Sequence, residues 1–327
     1  MKEIGGYIEL DTYTGSEYHP PQYALNCGRN ALAYLLESRN IGKLHIPYYL
    51  CDSVSQVCEK HCVPIEYYHI DSLFQPLFDA DLKEGEYLYI VNYYGQITNH
   101  QIVEWQKKYA RIIVDNAQAY FQMPVPGVDT LYSCRKFFGV PDGAYLYTDS
   151  KLKKELDVDV SYERMRFLLG RYEKSASEFY PEYVRNNELF AGEPLKKMSK
   201  LTHNLLRVID YESIKNTRNS NFEWLHNNLK QFNSLKPLSP DGAFMYPLYI
   251  RGGCRIRVQL QKARIYIPIL WPNVRTICPT NSLELEYVNN ILPIPVDQRY
   301  SISDMSYIVE VLNSLIYSNG ERERKDL

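Results

Sequence analysis

The sequence has no surplus of one charge, no long apolar run and no even-numbered cysteine framework, and each absence removes a class of protein. Lys and Arg number 37 against 39 Asp and Glu, a net charge of −2, so no basic excess points to nucleic acid or to an anionic membrane. No apolar stretch reaches the roughly 18 residues of a membrane span; the longest candidates, such as Ile265 to Trp271, have the length of a strand. The first ten residues, MKEIGGYIEL, carry charge but no apolar core of the kind a signal peptide needs. The expectation is a soluble, cytoplasmic protein with no nucleic-acid and no membrane partner. The seven Cys form an odd set, which without a secretion signal reads as reduced thiols. Cys58 and Cys62 are four apart and are expected to share a helix face. No second Cys or His pair completes a zinc set, so no metal is expected. Internal repeats and low-complexity linkers are also lacking.

What is present is an ordinary globular composition, 45% apolar. The thirty Tyr read as a compositional bias rather than as a ligand site. At 327 residues the chain exceeds the roughly 250–300 at which single cores stop growing. One large domain over residues 1–208 and a smaller one over 209–327 are expected.

Short aromatic and β-branched runs predict strands at Leu44 to Tyr49, Ile65 to Ile70, Tyr87 to Tyr94, Arg111 to Asp115, Thr130 to Cys134 and Ala144 to Thr148. Between them, Ala31 to Glu37, Ser53 to Cys62 and His100 to Tyr109 have helical period. Such alternation predicts a mostly parallel sheet with helices on both faces. Lys151 to Val208 is charged and helix-leaning. Beyond it, a long helix over Tyr211 to Phe232 leads to strands at Phe244 to Ile250, Ile256 to Leu260 and Ile265 to Pro268. An amphipathic helix, Ser303 to Tyr317, closes this α+β part. The last residues, ERERKDL, read as a solvated charge run.

Three places at strand C-terminal ends are candidate ligand sites, because open α/β sheets bind ligands there. Gly28-Arg29-Asn30 leads into a helix whose first N–H groups are able to hold a phosphate; the plain alternative is a helix capped by Asn30. Asp115 and Gln118 follow the fourth predicted strand. Either Asp115 caps the next turn or it is an anion aimed at a buried cation. Ser133 and Lys136 follow the fifth. A buried amine at Lys136 would have its pKa lowered toward the form that makes a Schiff base, although most lysines are exposed and inert.

Taken in order, Gly28-Arg29-Asn30, Asp115-x-x-Gln118 and Ser133-x-x-Lys136 resemble the fold type I pyridoxal-phosphate enzymes, and more narrowly the DegT/DnrJ family of sugar aminotransferases. Ile46-Pro47, the strand ending at Gly95, Asn219 to Leu229 and Leu292-Pro293-Ile294-Pro295 extend the resemblance over most of the chain. It implies a large domain with a mostly parallel, seven-stranded type of sheet and a small α+β C-terminal domain. It implies a homodimer with pyridoxal 5'-phosphate as cofactor. In that reading Lys136 holds the cofactor and moves a proton, and Asp115 pairs with the pyridine nitrogen. Gln118 binds the ring hydroxyl oxygen. Ser133 with Gly28, Arg29 and Asn30 holds the phosphate. Tyr49 or Cys51 stacks on the ring, and Asn186 or Asn187 matches an asparagine that reaches the phosphate from the neighbouring subunit. Many family members place five residues from Ser to Lys; here the step is three.

The implied reaction moves an amino group from an amino acid, glutamate being the natural donor, to a keto sugar that is nucleotide-linked, for polysaccharide or secondary-metabolite synthesis. A lyase or dehydratase reaction on the same cofactor, or a non-catalytic binding relative, stays open. Arg299 is a candidate for a donor carboxylate; its plain alternative is a structural salt bridge.

Overall fold

The computed structural model describes residues 4–20 and 23–323; part of the terminal charge run lies outside them. Eight strands form one sheet: β1 (Tyr23–Leu25), β2 (Lys43–Pro47), β3 (Ile65–Ile70), β4 (Pro76–Leu77), β5 (Glu86–Val91), β6 (Ile112–Asp115), β7 (Asp129–Ser133) and β8 (Ala144–Tyr147). Their order across the sheet is β1-β8-β7-β6-β5-β2-β3-β4. Strands β3, β2, β5, β6 and β7 pair in parallel, while β8 runs antiparallel to both β7 and β1. The central strands are buried apolar runs, such as Leu88 to Val91 and Ile112 to Val114, as expected of a sheet covered on both faces.

Helices α1 (Gly28–Ser38), α2 (Asp52–Lys60) and α3 (Asn99–Tyr109) connect the first strands. A capping box starts α3: the Thr98 side chain accepts from the Gln101 N–H, and the Gln101 side chain accepts from the Thr98 N–H. No side chain caps α1, whose N-cap is Cys27. Asn30 instead sits inside the first turn and donates from Nδ2 to Asn26 Oδ1 and to the Pro194 carbonyl. Cys62 lies beyond the end of α2 with φ 55°, so it does not share a helix face with Cys58.

After the sheet come α4 (Arg166–Glu173), α5 (Tyr180–Gly192), α6 (Lys200–Leu206) and α7 (Tyr211–Leu229). An antiparallel pair, β9 (Met245–Tyr249) and β10 (Ile291–Pro295), follows, with α8 (Gly253–Lys262), α9 (Val274–Ile277) and α10 (Leu283–Asn290) between the two strands. The last helix is α11 (Ile302–Glu323). Phe222, Leu225, Tyr246, Leu248, Ile256, Leu292, Met305 and Leu312 make a second apolar core. Trp271, Val274, Tyr287 and Val288 belong instead to the core under the large sheet.

Two expected strands are corrected. Ile256 to Leu260 is part of α8. Its sequence alternates, but the buried residues are Ile256, Arg257 and Leu260, with Val258 53% exposed, which is helical spacing. Ile265 to Pro268 alternates in burial but has no strand partner, and Pro268 has no N–H for a ladder. Three strands were illegible, among them the two-residue β4. β1 is only three residues long, and β10 carries two prolines, of which Pro293 lies opposite Pro247.

A buried histidine gives this fold an acid sensitivity. His19 is fully buried, with Nε2 2.8 Å from the Tyr120 carbonyl and Nδ1 3.1 Å from the Tyr147 hydroxyl. A neutral ring donating from Nε2 and accepting at Nδ1 satisfies both contacts. Burial pushes its pKa down to about 4. The unfolded chain therefore binds a proton that the folded one refuses between pH 6.5 and about 4. Stability is full above that window and is lost as pH falls through it, by about 1.4 kcal/mol per pH unit from this group. Urea unfolding at pH 7 and pH 5 should reveal the loss, and His19→Phe should flatten it.

Candidate active site

A cavity of about 400 Å³ opens at the C-terminal ends of the parallel strands, where the direction of strand addition switches between β2 and β5. It collects Gly28 and Arg29 from the start of α1, Cys51 after β2, and Asp115 and Gln118 after β6. Ser133 ends β7, and Lys136 ends the tight turn that follows it. Seven of the residues singled out in the sequence thus share one wall system. A larger cleft of about 650 Å³ lies between Tyr34, Leu152, Leu156 and Met198, but none of the singled-out residues lines it.

Asp115 is held from two sides. Its Oδ1 accepts the Ala117 N–H at 2.8 Å, and its Oδ2 accepts the Tyr89 hydroxyl at 2.8 Å. The turn-capping alternative is therefore met by one oxygen, while the residue still lines the cavity. Tyr89 is buried, and burial followed by the Asp115 charge holds its phenol well above the usual range, so it stays a donor. Gln118 is also buried; its Oε1 accepts the Tyr94 N–H at 2.8 Å, which leaves Nε2 as the donor it can offer.

At the other end two arginines face the helix start. Arg29 and Arg135 both line the cavity, and the Nε of each is buried without a hydrogen-bond partner. Arg135 donates to Asn187 Oδ1 and lies 4.7 Å from the Phe190 ring centroid. Burial lowers its pKa. Together with the uncapped N-terminus of α1 they make a strongly anion-seeking corner. Cys27 beside them is an inert thiol, pushed up to about 11 by burial.

Lys136 departs from the expected burial: it is exposed in the single chain, with Nζ 5.8 Å from the Phe244 ring centroid. The next residue is firmly fixed. Arg218 Nη2 and Gln298 Nε2 both donate to the Phe137 carbonyl, at 3.2 and 2.8 Å. Three other candidates lie off the cavity wall. Asn30 is tied to Asn26. Tyr49 is buried behind the wall, edge-on to Trp271 with centroids 4.8 Å apart. Arg299 pairs with Asp297 at 2.6 Å, the salt bridge weighed as its alternative. Asn187 lines the cavity of its own chain, whereas Asn186 donates to the Pro141 carbonyl at 2.9 Å.

Arg135, Tyr89, Tyr183 and Trp271 were not found from the sequence. Arg135 carried the one available signal, its position between Ser133 and Lys136. Trp271 reaches the wall from a loop far along the chain.

This large, mostly parallel sheet flanked by helices matches the fold of pyridoxal-phosphate-dependent aminotransferase structures. No protein-family model and no curated protein matches the chain. Solved structures do. An aminotransferase of the DegT DnrJ EryC1 StrS type from Brucella abortus is 16% identical with a TM-score of 0.60, covering 90% of this chain and 85% of its own. The sugar aminotransferase CalS13 from Micromonospora echinospora is 14% identical with a TM-score of 0.59, covering 89% and 86%. NtdA from Bacillus subtilis, solved with bound cofactor PMP, is 13% identical with a TM-score of 0.64, covering 90% and 73%.

Proposed function

We propose that the protein is a pyridoxal-phosphate-dependent aminotransferase that moves an amino group from an amino acid, glutamate in the first instance, to a nucleotide-linked keto sugar. The observation that carries this reading is the meeting of Asp115, Gln118, Ser133, Lys136 and the Gly28–Arg29 turn in one cavity. The structural neighbour CalS13, named as a sugar aminotransferase, supports the sugar as acceptor.

The residues fit the cofactor at both ends. The unpartnered Nε atoms of Arg29 and Arg135, with Ser133 and the α1 N-terminus, suit a phosphate. Asp115, oriented by Tyr89 and Ala117, suits a protonated ring nitrogen. When bound, the cofactor supplies an electron sink for the charge left on the donor's α-carbon. The chain supplies the rest. Lys136 Nζ would serve as the base for the donor's α-proton and then as the acid that returns it. Gln118 Nε2 would donate to the cofactor's ring hydroxyl oxygen. Trp271 limits water at the open side.

A cytoplasmic homodimer is part of the proposal, since a partner surface would cover the exposed Lys136. So is the division into a large domain over residues 1–208 and a small one over 209–327, with the second apolar core as its support.

The test is visible absorbance of purified protein mixed with pyridoxal phosphate, followed by glutamate alone. A new band that glutamate bleaches, with pyridoxamine phosphate as the recovered cofactor, is the expected result. A band that returns without pyridoxamine phosphate would assign a lyase, and no band in folded protein would leave a binding module. Tyr89→Phe should retain the band but slow turnover about tenfold or more, since it removes a hydrogen bond to a charged carboxylate; an unchanged pH profile and kcat would remove Tyr89 from the machinery.

A further inference from the structure

Away from the cavity, three side chains with metal-ligating atoms meet where the late segment packs on the sheet edge. His69 lies on β3, Cys278 directly after α9, and Glu284 in the first turn of α10. One ligand atom from each lies within 4.8 Å of the other two. His69 Nδ1 is 3.0 and 3.1 Å from the two Glu284 oxygens, and Cys278 Sγ is 3.9 Å from Glu284 Oε2. Nitrogen, oxygen and sulfur ligands in a tetrahedral zinc site lie about 3.3–3.6 Å apart, given bonds of about 2.0–2.3 Å. The triangle is therefore close to that size before any ion enters.

The charge balance points the same way. Glu284 is only 1% exposed, and its Oε1 also accepts the Ile70 N–H at 2.8 Å. Among the described residues no Lys or Arg forms an ion pair with it; its one salt-bridge partner is His69. A buried carboxylate whose one salt-bridge partner is a half-exposed imidazole is poorly compensated in charge. A divalent cation compensates it fully. Ser282 Oγ, 3.0 Å from Cys278 Sγ, and the Tyr48 ring, 4.7 Å from the His69 ring, border the same space.

We propose that His69 Nδ1, Cys278 Sγ and the Glu284 carboxylate bind one zinc-class divalent cation, with the fourth position taken by water on the exposed His69 side. The thiol gives its proton to solvent as the sulfur–metal bond forms, and no redox step is involved. The mixed nitrogen, sulfur and oxygen set favours zinc over calcium or magnesium. The ion would clasp the segment that carries Trp271 to the sheet edge, acting as a staple outside the cavity. The set was invisible as a spacing motif because His69 lies more than two hundred residues before Cys278 and Glu284; the Cys58–Cys62 pair is not part of it.

The test uses metal-free full-length protein titrated with Co²⁺, then displaced with Zn²⁺. The expected result is one equivalent per chain and a thiolate-to-cobalt charge-transfer band. Cys278→Ser should lose that band. His69→Ala, at a partly exposed position and checked for fold by circular dichroism, should weaken binding by at least about 100-fold. No cobalt spectrum in the folded wild type, or a spectrum unchanged in both variants, overturns the proposal. None of these readings depends on cofactor binding or turnover.

Discussion

Lys136→Ala is expected to abolish the pyridoxal-phosphate absorbance band and to lower turnover by at least the 10²–10⁴-fold or so that a positioned proton carrier contributes. The residue is the amine that lines the strand-end cavity, and its neighbours are set to present it. The main chain on either side is pinned by Ser133 at the end of β7 and by the doubly accepted Phe137 carbonyl. The side chain itself is exposed, so the substitution leaves no cavity in the core and stability should stay within about 0.5 kcal/mol of wild type. Loss of activity with an unchanged urea midpoint separates chemistry from folding. An active Lys136→Ala enzyme would remove this lysine from the proposed function.

Arg218→Leu has the opposite signature. Arg218 is 1% exposed on α7. Its guanidinium donates to Gln298 Oε1 at 2.9 Å and to the Ala243 and Phe137 carbonyls at 2.8 and 3.2 Å, and lies 4.6 Å from the Phe137 ring centroid. Burial lowers its pKa to about 10, which keeps it charged at neutral pH. Leucine would leave the Ala243 carbonyl and Gln298 Oε1 without the Arg218 donor, at about 1–3 kcal/mol each before relaxation, and would remove one of the two donors that hold the Phe137 carbonyl beside Lys136. A destabilisation of about 3–5 kcal/mol is expected, read as a fall in urea midpoint, together with weaker cofactor absorbance. Arg218→Lys keeps the charge without the fork and should fall between the two. A stable, fully active Arg218→Leu protein would mean that α7 does not brace the site.

The sheet was legible because its strands are compact apolar runs between polar helices, as in Ile65 to Ile70, where expected and observed limits coincide. The second half was not. In α8 the alternation of Arg, Ile, Arg and Val imitates a strand, and only the burial of Arg257 under the Ile291 carbonyl, 2.8 Å away, shows the helical face. Asp115, Gln118, Ser133 and Lys136 were legible because each follows a recognisable strand. Trp271 and Tyr89 were not, since their parts depend on packing across sequence separations that local pattern does not encode. Arg299 illustrates the reverse: the residue type suited a carboxylate ligand, but Asp297 two positions away already supplies one.

The wall formed by Trp271 has a consequence for how the molecule is made. Asn273 Nδ2 reaches the Leu50 carbonyl, and the Tyr287 hydroxyl reaches that of Ser72, across separations of 223 and 215 residues. A chain emerging from the ribosome can pair its parallel strands early, yet one side of the cavity stays open until these late residues arrive. Such distant closures are slow steps. Ligand capture therefore waits until these late residues have been made, and a nascent chain stalled before residue 271 would display a finished sheet with an unfinished pocket.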